Sequence, residues 1–436
     1  ELSNLIDGLY YKIENLSDDE YDEIKDKTLS EIATVFENLK DNSLILFNEF
    51  SSNPFDNNKI NKSKFEKLAD ELNLYLRENQ PKNFKLININ KLTTKIGIDK
   101  SFDLRFFYKS KSLYTINFYK EYSNYIKPIF LSYKGLAKKV LIFDCDNTLW
   151  KGILGEDGFE NIEMSADTND GLIYKEIQNI AIELSKQGVI ICLCSKNNEE
   201  DINEVIKKHP DMQLKYDRIA INKSNWNDKV TNLIEISEEL NLSLDSFVFV
   251  DDSDFEIDLI KNKLPEVTVL KVPNLLDDYP KKLSEYSSLF YNNNYSNEDK
   301  NRINMYKDEL KRKKEIKKFP NIDKYLESLD LKVKIHNNDI SQIKRLAQMT
   351  QKTNQFNLQT LRLTEKDLEK YMLDKHIDVS GFSVSDKFGD SGIVGLIIIS
   401  LYDDVKILNF LISCRIIGRN LEYAFLDYIM NKLKNK

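Results

Sequence analysis

The chain has 436 residues, 41% of them hydrophobic and 31% charged, which suits two or three cores of ordinary size rather than one. A formal net charge of −8 and a pI near 5.3 argue against a nucleic-acid partner, and no apolar run approaches the roughly 18–20 residues of a membrane span. Four cysteines without paired or zinc-like spacing, and a first stretch without a signal-peptide pattern, predict free thiols in a cytoplasmic protein.

Residues 1–130 mix helical and strand signals. Phe65, Leu68, Leu72 and Leu76 recur at a helical period within Asn61–Gln80, and Ser43–Phe47 reads as a short buried strand. No chemical motif falls here, so an N-terminal α/β packing or docking domain is expected. From Lys138 the pattern changes. Short apolar runs at Val140–Phe143, Val189–Leu193, Arg218–Ile221, Phe247–Val250 and Val267–Val272 alternate with amphipathic stretches such as Gly171–Lys186 and Lys229–Leu240. Such alternation implies a parallel sheet covered on both faces, and residues 137–274 are expected to form the catalytic domain. Residues 275–325, rich in Asn, Tyr, Lys and Glu, read as a solvated connector with helical character from Asn297 to Lys318. The segment 326–436 predicts a small α+β unit. It carries a strand near Leu331–Ile335, helices near Ile340–Met349 and Thr364–Leu373, and a hairpin turn at Phe388–Gly392. Strands at Ile393–Leu401 and Val405–Ser413 and a closing helix at Leu421–Leu433 complete it.

The chemistry concentrates at the ends of the predicted parallel strands. The run Val140–Trp150 is an apolar strand that delivers Asp144 and Asp146 at its C-terminal end, where parallel sheets place their ligand sites. In such a site the first aspartate attacks phosphorus or holds the metal, and the second acts as general acid/base. Thr148 is expected to tie the turn back to the loop. Ser195 ends the next strand and suits a phosphoryl oxygen, while Lys229 opens a helix and can neutralise charge on the transferred group. Asp251 and Asp252 end a later strand. Asp144 and Asp251, with the backbone carbonyl of Asp146, are expected to bind one Mg²⁺, a hard cation that takes oxygen ligands. Each residue alone has a bland reading: a helix cap, a surface lysine, a turn serine. Their joint placement at successive strand ends favours the chemical one.

This constellation resembles the haloacid dehalogenase superfamily, whose members usually insert a cap domain. Here Thr148 and Ser195 lie 47 positions apart, and Ser195 and Lys229 only 34, which leaves room for no more than the turn-rich flap Lys151–Gly158. A capless site suits a reacting group presented by a macromolecule. The runs Asp144–Gly158, Ser195–Asn197, Asn225–Lys229 and Phe249–Asp252 look like the FkbH family. So do Gln348–Asn357, Phe388–Gly395 and Ser413–Gly418. Lys151 and Asp254 depart from the pattern that members often show. The resemblance implies a haloacid-dehalogenase-like Rossmannoid parallel sheet, with an N-terminal α/β domain and a C-terminal α+β domain resembling GNAT acyltransferases. It implies a Mg²⁺-dependent glyceryltransferase and phosphatase that takes a glyceryl unit from 1,3-bisphosphoglycerate. That unit would be loaded on the phosphopantetheine arm of an acyl carrier protein in polyketide biosynthesis. On this resemblance Lys196 and Asn197 join Thr148, Ser195, Lys229 and Asp252 as substrate-binding residues.

Cys145, between the two aspartates, is then a candidate nucleophile beside Asp144, Asp146 and Lys229, because a thiolate attacks an acyl phosphate readily. Its alternative is a small buried apolar residue. The loop Arg415–Asn420 resembles the GNAT loop that holds a coenzyme A pyrophosphate, with Asn420 replacing its last small residue. Two alternatives to glyceryl transfer stand: a capless phosphatase acting on a small phosphoester or phosphoprotein, and a non-catalytic docking scaffold of a synthase.

Overall fold

The computed structural model describes residues 1–6, 9–40, 44–55, 60–291, 318–352, 356–402, 405–413 and 416–434, with 308, 309, 311, 312, 315 and 316. Glu1–Phe130 and Leu131–Lys436 form two compact units. Among the described residues no helix is long and apolar enough to cross a membrane.

In the first unit β1 (Ile45–Asn48) and β2 (Phe84–Ile87) pair in parallel, Ile45 opposite Phe84. The helix Lys64–Asn79 starts three residues later than the apolar period suggests, because the Ser63 hydroxyl caps it by accepting from the Glu66 N–H. Its stripe of Phe65, Leu68, Leu72 and Leu76 is buried with Phe36 of the helix Asp18–Leu39 and Phe84 of β2. Ser43, placed at the start of the expected strand, lies outside the described residues.

The second unit is built on five parallel strands: β3 (Val140–Phe143), β4 (Ile190–Ser195), β5 (Ile219–Ser224), β6 (Phe247–Asp251) and β7 (Thr268–Lys271). Their order across the sheet is β5-β4-β3-β6-β7. β3 and β4 are buried at every position, as strands covered on both faces must be. Leu141, Phe143, Leu193 and Val250 pack on one side against Ile177 and Ala181 of the helix Asn169–Lys186. Ile142, Cys192 and Phe249 pack on the other against Leu233 and Ile236 of the helix Lys229–Leu240. β5 runs on to Ser224, past its expected end at Ile221. It is an edge strand, and Lys223 satisfies itself with Glu235 and Glu239 at 2.6 and 2.7 Å. The chain leaves β3 toward β4 and β5, then returns to the other side of β3 with β6. That reversal opens a crevice at the carboxyl end of β3, where ligands of such sheets sit.

The helix Tyr279–Ser287 follows, and here the expectation of a solvated connector gives way. Tyr279, Leu283 and Phe290 are buried in the same core as Phe143. Most of the helical stretch expected from Asn297 to Lys318 lies outside the described residues.

Beyond it a second sheet is antiparallel, in the order β8-β10-β11-β12-β9. Its strands are β8 (Lys332–Asn337), β9 (Phe356–Asn357), β10 (Ile377–Asp386), β11 (Gly389–Ser400) and β12 (Lys406–Ile412). The helices Ile343–Lys352 and Leu421–Lys434 flank it. Its hairpin turns at Lys387-Phe388, because Asp386 pairs with Gly389; the expected turn residues Gly389–Gly392 lie in β11. The Asp386 carboxylate makes the turn, accepting from the N–H groups of Phe388 and Gly389 at 2.9 and 3.2 Å. Of the loop compared with a coenzyme A site, Arg415 lies outside the described residues, as do Cys414 and residues 353–355.

Candidate active site

The loop after β3 is shaped before it is charged. Asp144 donates its N–H to the Val250 carbonyl at 2.9 Å, and the Cys145 carbonyl then accepts from Thr148 and Leu149 at 3.2 and 2.8 Å. Asn147 turns the chain in the left-handed region (φ 50), and its Oδ1 accepts from the Gly152 N–H at 3.0 Å. Gly152 has φ 101, and a Cβ there would stand 2.8 Å from Asp157 Oδ2, so only glycine closes this turn. Three side chains hold three successive carbonyls of the loop. Tyr174 donates to Asn147 O (3.3 Å), Tyr279 to Thr148 O (3.2 Å) and Gln178 to Leu149 O (2.8 Å).

On this frame sit the charges. Lys229 is the first residue of its helix, after the cap made by Asp228, and its side chain is buried. Its Nζ lies 2.9 Å from Asp144 Oδ1 and 2.6 Å from Asp251 Oδ2. Asp251 Oδ1 accepts from the Ser253 N–H at 2.9 Å. Burial pushes the Asp144 carboxyl up; the Lys229 ammonium opposes this, the Asp251 charge adds to it, and hydrogen bonds from Lys229 and Ser195 oppose it again. Asp251 is raised in the same way, with burial outweighing Lys229. Burial alone would depress Lys229, but the two carboxylates hold it well above its ordinary value.

Carboxylate oxygens of Asp144, Asp251 and Asp252 all lie within 4.8 Å of one another. Three hard oxygen donors crowded around one ammonium carry a surplus of negative charge, and that donor set fits a divalent cation such as Mg²⁺.

Comparison with known proteins adds to this geometry. No protein-family model matches the chain, and no curated protein does. Among solved structures it is similar to the N-terminal part of the protein BF1531 from Bacteroides fragilis, which contains a phosphatase domain complexed with Mg. The TM-score is 0.55 and the identity 29%, over 65% of this chain and 77% of that one. The fold is haloacid-dehalogenase-like. Around that parallel sheet the chain is a mixed α/β protein with an additional antiparallel sheet.

Within this haloacid-dehalogenase-like unit the residues singled out in the sequence take unequal places. Asp144, Asp251 and Lys229 converge. Asp252 was expected to meet substrate, but its carboxylate belongs to the acidic group. The Asp146 side chain is not part of that group. Its Oδ1 accepts from Trp150 Nε1 and the Leu154 N–H, both at 3.0 Å, and its Oδ2 accepts from Asn197 Nδ2 at 2.9 Å. Ser195 is buried beside Asp144, and its Oγ accepts from Asn197 at 3.1 Å. Asn197 therefore positions Asp146 and Ser195.

Three residues are placed otherwise than expected. Thr148 is fully buried, and its Oγ1 makes no hydrogen bond among the described residues; Asn147 makes the tie expected of it. Lys196 pairs with Glu256 at 2.6 Å. Cys145 lies wholly inside the core with Leu141, Phe143 and Leu149. Burial first, then the Asp144 and Asp146 charges, push its thiol well above its ordinary range, which disfavours the thiolate. The pair Tyr174 and Gln178, four apart on one helix face, was a signal open to reading. Tyr279 gave none, because it stands in a stretch whose composition is polar.

Proposed function

We propose that the chain is a Mg²⁺-dependent phosphatase of the aspartate-nucleophile type. The observation that carries this reading is the Lys229 ammonium placed within hydrogen-bond distance of both Asp144 and Asp251 at the crevice of the sheet. The likeness to a structure containing a phosphatase domain with Mg supports it. An Asp144 oxygen attacks phosphorus, and the bond from phosphorus to the leaving oxygen breaks. Asp146, fixed by Trp150, Leu154 and Asn197, gives that oxygen a proton. It then takes a proton from the water that cleaves the aspartyl phosphate, releasing phosphate and restoring Asp144. Lys229 holds the attacking carboxylate in place and balances the charge around it. Asp144, Asp251 and Asp252 would hold Mg²⁺, which would neutralise charge on the phosphoryl oxygens. The test is phosphate release from acetyl phosphate and aryl phosphates: Asp144→Asn and Lys229→Met should each lose turnover by roughly three orders of magnitude. Near-native rates in Asp144→Asn would sink the assignment.

A second reading is glyceryl transfer from 1,3-bisphosphoglycerate to the thiol of a holo acyl carrier protein. It is favoured by the connections between β3 and β6, which carry helices and a short flap but no inserted domain, so a partner can present its reacting group. With Cys145 in the core, the carrier thiol itself would attack the acyl carbon and expel the phosphate bound there, leaving a 3-phosphoglyceryl thioester; hydrolysis of its remaining phosphate ester at Asp144 would then give the glyceryl thioester. Intact-protein mass of a holo carrier after incubation with 1,3-bisphosphoglycerate and Mg²⁺ decides. A glyceryl thioester supports transfer, and phosphate release without it leaves the phosphatase.

A further inference from the structure

The chain has two tryptophans, and they could hardly differ more. Trp150 is fully buried and donates to Asp146, whereas Trp226 is 72% exposed. Trp226 stands on the loop between β5 and the helix that begins with Lys229, at the same sheet edge as Asp144 and Asp251. This loop is fixed. The Asn225 N–H donates to the Ser195 carbonyl at 3.1 Å, and the side chains of Asn225 and Asn232 exchange two hydrogen bonds at 3.1 and 3.0 Å. The Asn227 N–H closes back on Asn225 Oδ1 at 3.0 Å. The indole is oriented as well, since its Nε1 donates to Asn198 Oδ1 at 3.1 Å, and Asn198 Nδ2 donates to Asp201. Asn198 adjoins Asn197, which holds Asp146.

An indole whose one polar atom is satisfied has only carbon left to offer, and a large apolar ring kept in water is unfavourable. That bond meets part of its ordering cost before any ligand arrives, so contact with a planar or apolar group is gained at a smaller entropic loss. β5 stands two strands from β3, on the order of 10 Å at the usual strand spacing. A body attached to a phosphoryl group at Asp144 can span that gap. In the stretch from Asp144 to Asp251 no inserted domain exists to supply such a contact.

We propose that Trp226 is the specificity-determining contact for the organic part of the phosphorylated substrate. The site thereby selects phosphate esters that carry a planar or apolar body over small acyl phosphates. This rests on the phosphatase reading of the site.

The test uses the whole chain with Mg²⁺. Trp226→Ala should raise KM for p-nitrophenyl phosphate roughly tenfold while kcat holds and KM for acetyl phosphate stays unchanged, and Trp226→Phe should recover most of the loss. A second readout needs no turnover. With Trp150 inaccessible, acrylamide quenches the Trp226 emission, and phenylphosphonate should protect it where inorganic phosphate does not. Unchanged quenching with phenylphosphonate, or equal KM changes for both donors, overturns the inference even while Mg²⁺-dependent turnover persists. Loss of all turnover in the native chain would fell the phosphatase reading instead, and the quenching result would still decide for or against Trp226 as a ligand contact.

Discussion

Among the described residues of the larger unit, one buried ion cluster stands at the crevice of the parallel sheet and another beside the antiparallel sheet. In the second, Arg312 forms a two-pronged bond with Asp386, at 2.7 Å to each oxygen, and meets Glu309 at 3.3 Å. Arg419 pairs with Glu309 and lies 3.5 Å from Asp386. Two guanidiniums face two carboxylates. Burial works against the Asp386 charge, yet hydrogen bonds from Arg312 hold its carboxyl below the usual range. At the crevice one ammonium faces the three carboxylates of Asp144, Asp251 and Asp252, and burial raises all three. A balanced cluster holds a fold together; a cluster with surplus charge has been left for something else to complete. That difference separates structure from function here more sharply than burial does.

The largest effects should come from unbalancing each cluster. Asp144→Asn should abolish turnover, by roughly a thousandfold, yet leave Tm in the absence of Mg²⁺ unchanged or higher because it relieves repulsion among the carboxylates. A large fall in Tm would mean that the crevice cluster is structural after all. Asp386→Asn should do the reverse. It leaves buried guanidinium charge uncompensated and should cost about 3 kcal/mol in a denaturant titration, with turnover per folded molecule unchanged. Loss of turnover without loss of stability would erase the distinction.

Next in size is the response to metal. Mg²⁺ at about a hundred times its dissociation constant should stabilise the native chain by about 2.7 kcal/mol, and EDTA should remove that gain. Asp252→Asn should shrink the shift, which sharpens its transfer from the substrate side to the acidic group. An undiminished shift would return Asp252 to substrate.

The smallest effect expected is at the loop. Gln178→Leu should cost about 2 kcal/mol, since the Leu149 carbonyl would lose its buried donor and the Gln213 and Leu214 N–H groups their acceptor, and should lower kcat modestly by loosening the Asp146 turn. A kcat untouched by a measurable loss of stability would show that the loop needs no such hold.

The crevice was legible in the sequence because its parts are local. A strand buried on both faces must read as an apolar run, and the aspartates follow such runs directly at Asp144 and Asp251. The carbonyl supports were not legible, since Tyr279 reaches Thr148 across 131 positions from a segment of polar composition. Residue type did not foretell the surroundings of Thr148, Lys196 and Cys145. A hydroxyl, an amine and a thiol beside a reactive site suggest contact, and only packing shows that one is buried without a bond, one is tied to Glu256 and one lies in the core. The hairpin turn moved for a similar reason: Asp386, held by Arg312, fixes it ahead of the glycines that suggested it.

The central claim is that Asp144 is the group that attacks phosphorus, with Cys145 beside it as packing. Borohydride quenching during Mg²⁺-dependent turnover of acetyl phosphate, followed by peptide mass measurement, tests it directly. An aspartyl phosphate is reduced by borohydride, so the account predicts homoserine at position 144 and an unmodified Cys145. An acetyl group on Cys145, or phosphate release with Asp144 intact, would contradict it.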